Sequence, residues 1–477
     1  MTKCFQRGSL IVCALACVVA PIIMTASLEG ADSQTKPGGF AFVHATVIDG
    51  TGAAAKRNQT ILISEDRITA VGPSGKVRIP RGARSFDATG RFLIPGLWDA
   101  HVHTRYEGID HFRLLIANGI TSARNMSAPW EYLPEILRLR EQIAKGDRIG
   151  PRLLTAGPLL DGPGTVRAAT NVVVNNPDEA RQAVRRVKSE GADFVKVYNL
   201  LNRESFFAIA AEAKAEGLPF AGHVPFVIKA DEASDAGQLS IEHMDMIVRA
   251  ASVGAEEISQ QLQDRRPASV TSLDLGKLSA LADRLKRNQT AVVPTLSSYW
   301  TKVEWFSQHS VPGGGDSFRY IPPAYPEVWK QAQPPRISVD DLRRLYEQCL
   351  IAVRELNKRG VTILAGTDLG QAFLVPGFSL HDELSLLANA GLSNMDVLQA
   401  ATRNPARAFG LTGQGTIERG MRADLVFLDA NPLENIDNTR KIRMVVARGR
   451  VLSRSDLDAM MSDIQHAASQ WSGSPTR

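Results

Sequence analysis

The sequence has little cysteine, few aromatic side chains and almost no surplus charge. Of its 477 residues four are Cys and 6% are aromatic, and 55 basic against 50 acidic residues leave a formal net charge of +5. So small a surplus over such a length leaves no electrostatic footprint for nucleic acid. No low-complexity tract or like-charge block is present, and apolar residues make up 44% of the chain, a composition that excludes disorder, coiled coil and collagen. Cys4, Cys13 and Cys17 fall in the first thirty residues, which leaves Cys349 alone and the remainder of the chain without an internal disulfide. Long hydrophobic runs are scarce too. The one from Leu10 to Met24 follows Lys3 and Arg7; it is too short to span a bilayer with margin and has the charge-then-apolar order of a secretory signal. Residues 1–31 therefore read as an export signal cleaved near Ala26 or Ala31, with a membrane anchor or lipidation at Cys17 as competing readings. A periplasmic or extracellular protein, free of the membrane after cleavage, is expected.

The rest of the chain divides by hydrophobic pattern. Residues 38–91 carry short β-rich runs, Phe42 to Ile48, Thr60 to Ile63 and Ile68 to Val71, with Gly/Asp turn signals between them. From residue 92 to 412 short apolar runs alternate with helical periodicity, the signal of repeated β/α units around a parallel sheet. Candidate strands are Leu93 to Trp98, Thr121 to Arg124, Arg152 to Ala156, Phe194 to Tyr198, Phe220 to His223, Leu239 to His243, Ala291 to Thr295 and Thr362 to Thr367. Eight strands suffice to close a (β/α)8 TIM-type barrel. Pro177 to Glu190 and Arg203 to Glu216 have the start and stop residues of helices. Trp300 to Pro335, rich in Pro, Gly and aromatics without a clean period, reads as a long loop at the active-site face or as a patch packed on the protein's own helices. Residues 413–455 return to β character and rejoin the first strands, so a small β-sandwich domain is expected from both ends of the chain. The tail, 456–477, is helical in pattern.

The chemistry-bearing residues gather at strand ends. Asp99-Ala100-His101-Val102-His103 follows an apolar strand, and alternate residues on a strand point the same way, so His101 and His103 present two imidazoles to one point. His223, His243 and Asp368 close three other candidate strands, and the C-terminal ends of barrel strands converge on one site. Each His taken singly also reads as a hydrogen-bonded core residue. Lys196 lies inside Phe194-Val195-Lys196-Val197-Tyr198, where a charged ammonium facing the barrel is costly unless paired or chemically changed. A buried Lys loses its proton readily. The neutral amine can then add carbon dioxide to form a carbamate able to bridge two divalent ions; an outward-facing Lys in an ion pair is the other reading. Tyr198, two residues on, and Arg124, at the end of the second strand, are candidates for a substrate carboxylate or carbonyl, against ordinary packing and a structural ion pair. His381 reads as structural or supporting.

With Pro95-Gly96-Leu97, Asp99-x-His101-x-His103, Asn404-Pro405-Ala406 and Gly420-x-x-Ala423-Asp424-Leu425-Val426 in place, the sequence from about Phe42 to Leu452 resembles the amidohydrolase superfamily. Within it, the resemblance is to the imidazolonepropionase-related branch with its exported dipeptidases and N-acyl amino acid hydrolases. The resemblance implies that His101, His103 and Asp368 bind one metal, that His223 and His243 bind a second, and that carboxylated Lys196 bridges them. Two divalent ions, zinc by preference, are the implied cofactors, and Asp368 the implied proton shuttle.

The activity so implied is hydrolysis of small-molecule amides, dipeptides or N-acyl amino acids, by water that the metals activate. A cyclic amide or lactone hydrolase uses the same chemistry on a ring carbonyl. A deaminase is disfavoured because His223-Val224-Pro225-Phe226 lacks a following acid. A metal-containing binding protein without turnover is the rival from another class. Assembly into a homo-oligomer stays open.

Overall fold

Pro95 and Gly96 divide what the sequence reads as one strand. Pro95 has no amide hydrogen to donate, the Gly96 amide donates to the Asp424 carbonyl (2.7 Å), and the chain passes there from one sheet to another. The computed structural model describes residues 39–104, 107–165, 170–270, 272–309, 312–331 and 336–475; the expected signal lies outside them. Before the break come β1 (Phe40–Val47), β2 (Lys56–Ser64), β3 (Arg67–Pro73), β4 (Arg84–Asp87) and β5 (Phe92–Pro95). After it come β6 (Leu97–Val102), β7 (Ile120–Asn125), β8 (Arg152–Asp161), β9 (Val172–Val173), β10 (Phe194–Val197), β11 (Phe220–Gly222), β12 (Ser240–Glu242) and β13 (Ala291–Val293). The chain returns to the first sheet with β14 (Leu425–Leu428), β15 (Ile442–Ala447) and β16 (Arg450–Leu452).

That first sheet has the order β16-β15-β14-β5-β1-β2-β3. One edge of β1 pairs with β2 and the other forks, Phe40 to Val43 lying beside β4 and Thr46 to Val47 beside β5. Its apolar residues, among them Phe42, Ile61, Leu93, Leu425 and Phe427, form their own core. The second sheet is parallel, in the order β13-β12-β11-β10-β8-β7-β6 with β9 beside β8. Residues 362–369 close it into a barrel without forming a continuous ladder. On one side the Val292 amide donates to the Thr362 carbonyl and the Leu364 amide to the Val292 carbonyl, and on the other the Ala100 amide reaches Ala365 and the Asp368 amide reaches His101. The eighth strand of the pattern is thus reduced to isolated bridges. The reason is that its other backbone groups are taken elsewhere: the Ala365 amide donates to Ala400 (2.8 Å) and the Thr367 amide to the Asp99 carboxylate (3.0 Å).

Helices cover the barrel from outside. The Pro177–Ser189 helix is opened by the Asn176 side chain, which accepts from Asp178 and Glu179, and the Arg203–Glu216 helix by Asn202, with Gly217 ending it at φ 63°. The expected loop from 300 to 335 is instead largely helical, in Leu296–Gln308, a 3-10 segment Pro312–Tyr320 and Ala324–Lys330. Its aromatic residues supply the reason, since Trp305 and Trp329 both pack on Phe373 (5.0 and 5.9 Å). Trp471, after the last helix (Arg454–Gln470), stacks on Tyr325 at 5.8 Å. No helix among the described residues is long and apolar enough to cross a membrane.

The motif residues near the ends of the barrel act as clamps. Arg152 on β8 bonds both Asp424 (2.6 Å) and Asp66 (3.2 Å), joining barrel to sheet. The Asn404 side chain donates to the Ile363 carbonyl and so holds the closing segment.

Candidate metal centre

Inside the barrel, where small and apolar residues usually fill the space, the sequence places Arg124, Lys196, Glu242 and His101, all fully buried. Burial of such groups is tolerable only in a connected network. Arg124 donates from Nε to the Ala100 carbonyl (2.7 Å), from Nη1 to Ser240 Oγ (2.9 Å) and from Nη2 to Glu242 Oε1 (2.7 Å). Glu242 Oε2 lies 2.8 Å from His101 Nδ1. Burial alone would raise the Glu242 carboxyl, but Arg124, His101 and Lys196 hold it below the usual carboxylate range. A carboxylate at that distance requires the proton on Nδ1 and leaves the Nε2 lone pair of His101 free to face the barrel mouth.

That Nε2 is buried and has no hydrogen-bond partner. It lies 3.4 Å from Asp368 Oδ1, and His103 Nε2 lies at the same distance from the same oxygen. One ligand atom from each of His101, His103 and Asp368 falls within 4.8 Å of the others. Two imidazole nitrogens and a carboxylate oxygen sharing one focus, one of them an orphaned buried acceptor, suit a divalent ion of the zinc type. Burial raises the Asp368 carboxyl, yet the imidazoles of His243, His103 and His101 carry it well below its ordinary range.

The other candidates stand around this focus. The His243 ring is 4.8 Å from that of His101 and 4.6 Å from that of His223. Each is held from behind at Nδ1, His223 by Asn199 Oδ1 (2.8 Å) and His243 by Thr295 Oγ1 (2.9 Å), so their Nε2 atoms point the other way. His243 and Asp368 take positive φ, 70° and 62°, a left-handed backbone that costs of order 1–3 kcal/mol in ordinary residues and concentrates at functional sites. Gly222, at φ 138°, brings β11 against Lys196; a Cβ there would meet the Val197 carbonyl oxygen at 2.3 Å. Burial pushes the Lys196 ammonium down to about 8, with Glu242 opposing and Arg124 assisting. Lys196 feels the charges of both Glu242 and Asp368, yet among the described residues no carboxylate oxygen comes within ion-pair distance of it.

A family model described as the amidohydrolase family matches residues 92–452. The chain belongs to the amidohydrolase family. This amidohydrolase is 24% identical to the imidazolonepropionase of Symbiobacterium thermophilum over 434 residues, 86% of this chain and 91% of that enzyme. It is 24% identical to the ochratoxinase of Aspergillus niger over 444 residues, 80% of this chain and 79% of that one. A solved Xaa-Pro dipeptidase superposes with a TM-score of 0.65 at 21% identity, covering 87% of this chain and 99% of that one, a likeness of fold.

Within the amidohydrolase, the six residues singled out as metal ligands are thus found at one end of one barrel. Tyr198 is half-buried there with its ring 4.1 Å from that of His223. Arg124, the other candidate for a substrate carboxylate, is not at the mouth: its guanidinium is turned into the barrel and committed to Glu242, Ser240 and Ala100, because an ion pair inside the core needs both partners desolvated together. His381 bonds Thr439 Oγ1 (2.9 Å) and the Asn118 carbonyl (3.1 Å), a structural tie. Glu242 was missed. The signal was there, since an acid within a three-residue buried strand is as anomalous as Lys196 within β10. Asn199 and Thr295 gave no signal, because neutral polar residues near strand ends are common.

Proposed function

We propose that the protein is a metal-dependent hydrolase of amide bonds, acting on dipeptides or N-acyl amino acids. The observation that carries this reading is the single focus of His101 Nε2, His103 Nε2 and Asp368 Oδ1. His101, His103 and Asp368 would hold one divalent ion, zinc first among those such donors accept. His223 and His243 would hold a second, with Lys196 as a carbamate between them. An ion bound there lowers the pKa of water and polarises the scissile carbonyl. The chain's own residues supply the rest. Asp368, kept as a carboxylate by its imidazole neighbours, takes the proton of the attacking water and delivers it to the leaving amine nitrogen. Tyr198, beside His223, orients the substrate. Glu242 and Arg124 keep His101 in one tautomer throughout.

The likeness to a Xaa-Pro dipeptidase supports a dipeptide or N-acyl amino acid substrate, and the similarity to imidazolonepropionase supports ring amides as the second reading. The charge-then-apolar pattern of residues 1–31 supports export. The test is amine release from a panel of dipeptides and N-acyl amino acids, with zinc-loaded and chelator-stripped protein side by side. Metal-dependent release from a coherent subset is expected. Silence across the panel, with ring opening of a cyclic amide instead, replaces the first reading by the second.

A further inference from the structure

A cavity of about 970 Å³ lies on the outer side of the segment that follows His223. Its walls come from that segment and from the helices Met244–Ala250, Ala255–Gln263 and Leu275–Arg287. None of the six candidate metal ligands lines it. Its volume is that of pockets which enclose small organic molecules.

The walls have two chemistries. Phe226, Ile228 and Leu281 supply an apolar side, and Arg249, Lys277 and Arg287 supply positive charge. The remaining charges on the walls largely cancel: Lys229 pairs with Glu256 (3.6 Å), Arg284 with Asp235 (3.3 Å) and Asp283 with Arg359 (3.0 Å). Among the described residues no ion pair engages Arg249, Lys277 or Arg287, and Asp231 alone opposes them from the walls.

Arg249 is the decisive group. It is 6% exposed, and its Nη1 is buried without a hydrogen-bond partner. Its Nη2 donates to the Val224 carbonyl (3.1 Å), and the guanidinium lies 5.4 Å from the centre of the Phe226 ring. A buried guanidinium with an idle donor carries a desolvation cost that a bound anion would remove. Asp245, on the same helix, acts on it through its charge but forms no ion pair with it among the described residues, so a buried arginine beneath an open cavity is left without a bonded anion.

We infer that this cavity is a binding site, separate from the metal centre, for a small carboxylate with an extended apolar body. The carboxylate sits against Arg249, within reach of Lys277, and the apolar body lies along Phe226, Ile228 and Leu281.

Titration calorimetry with dodecanoate below its micelle concentration tests this on the metal-loaded protein. Saturable one-to-one binding is expected, with affinity at least about tenfold weaker in Arg249→Met, the loss that follows from removing a charged hydrogen-bond partner. Lys277→Ala, at an exposed position, is expected to weaken it as well without disturbing the fold. Asp368→Asn is expected to leave it unchanged. The inference is overturned if no saturable binding occurs, if dodecanol binds as well as dodecanoate, if Lys277→Ala and a folded Arg249→Met bind like the parent, or if Asp368→Asn abolishes binding.

Discussion

His101 Nδ1 and Glu242 Oε2 lie 2.8 Å apart with both side chains wholly withdrawn from solvent. The same carboxylate receives Arg124 Nη2 at 2.7 Å and Ser240 Oγ at 2.5 Å. One acid therefore fixes the tautomer of a candidate metal ligand while neutralising a buried guanidinium.

Removing that acid should act on metal binding and on stability separately. Glu242→Gln keeps the shape and loses the charge, and metal affinity is expected to fall about 10–100-fold, as for other partners behind a ligand; competition with a chelating dye measures it. Glu242→Ala leaves Arg124 buried and unpaired, and is expected to cost about 3–5 kcal/mol in denaturant unfolding. An Ala variant as stable as the parent would show the pair to be dispensable.

For Lys196 the expectation is loss of bound metal and of turnover in Lys196→Ala, with partial recovery of both on adding short carboxylic acids in place of the carbamate. Elemental analysis and turnover with and without added propionate decide it. Near-normal metal content in the variant removes Lys196 from the centre.

Gly222→Ala should damage the site without touching a ligand. Its φ of 138° is unfavourable for any L side chain, and the added Cβ would meet the Val197 carbonyl oxygen. The strain, about 1–3 kcal/mol, is expected to appear as a lowered melting temperature together with reduced metal content, because His223 is the next residue.

Acid should destabilise the fold through His381. Burial, helped by the charge of Arg440, lowers the His381 imidazole from its ordinary 6.5 to about 3, against the opposing pull of the Asn118 carbonyl and Asp437. The folded state therefore binds this proton less readily than the unfolded one. The stabilisation is fully present above pH 6.5 and is lost progressively as pH falls toward 3, with a slope of about 1.4 kcal/mol per pH unit from this one group. Replacing His381 by Gln is expected to flatten the decline of unfolding free energy between pH 6 and 4, and an unaltered slope would place the titrating group elsewhere.

Much of the barrel was legible because its strands are short apolar runs ended by histidines or an acid, as with Phe220 to His223 and Leu364 to Asp368. The helices over Pro177–Ser189 and Arg203–Glu216 were legible through the Pro and acidic residues that open the first and the glycines, Gly191 and Gly217, that follow each. The run from Trp300 was not, because mutual packing of Trp305, Trp329 and Phe373 forms helices there that local propensity does not specify. The split at Pro95-Gly96 was hidden for a similar reason, since both halves are apolar and only their partners differ.

The sequence by itself determined the alternation of strand and helix and the residue types offered at the strand ends, for these follow from local periodicity and side-chain chemistry. Tertiary structure alone decided which nitrogen of each histidine faces the centre, that Arg124 is bound to Glu242 rather than to substrate, and that Arg249 borders a cavity. Such choices depend on what burial leaves each polar atom to bond with, and those partners lie up to 141 residues apart in the chain.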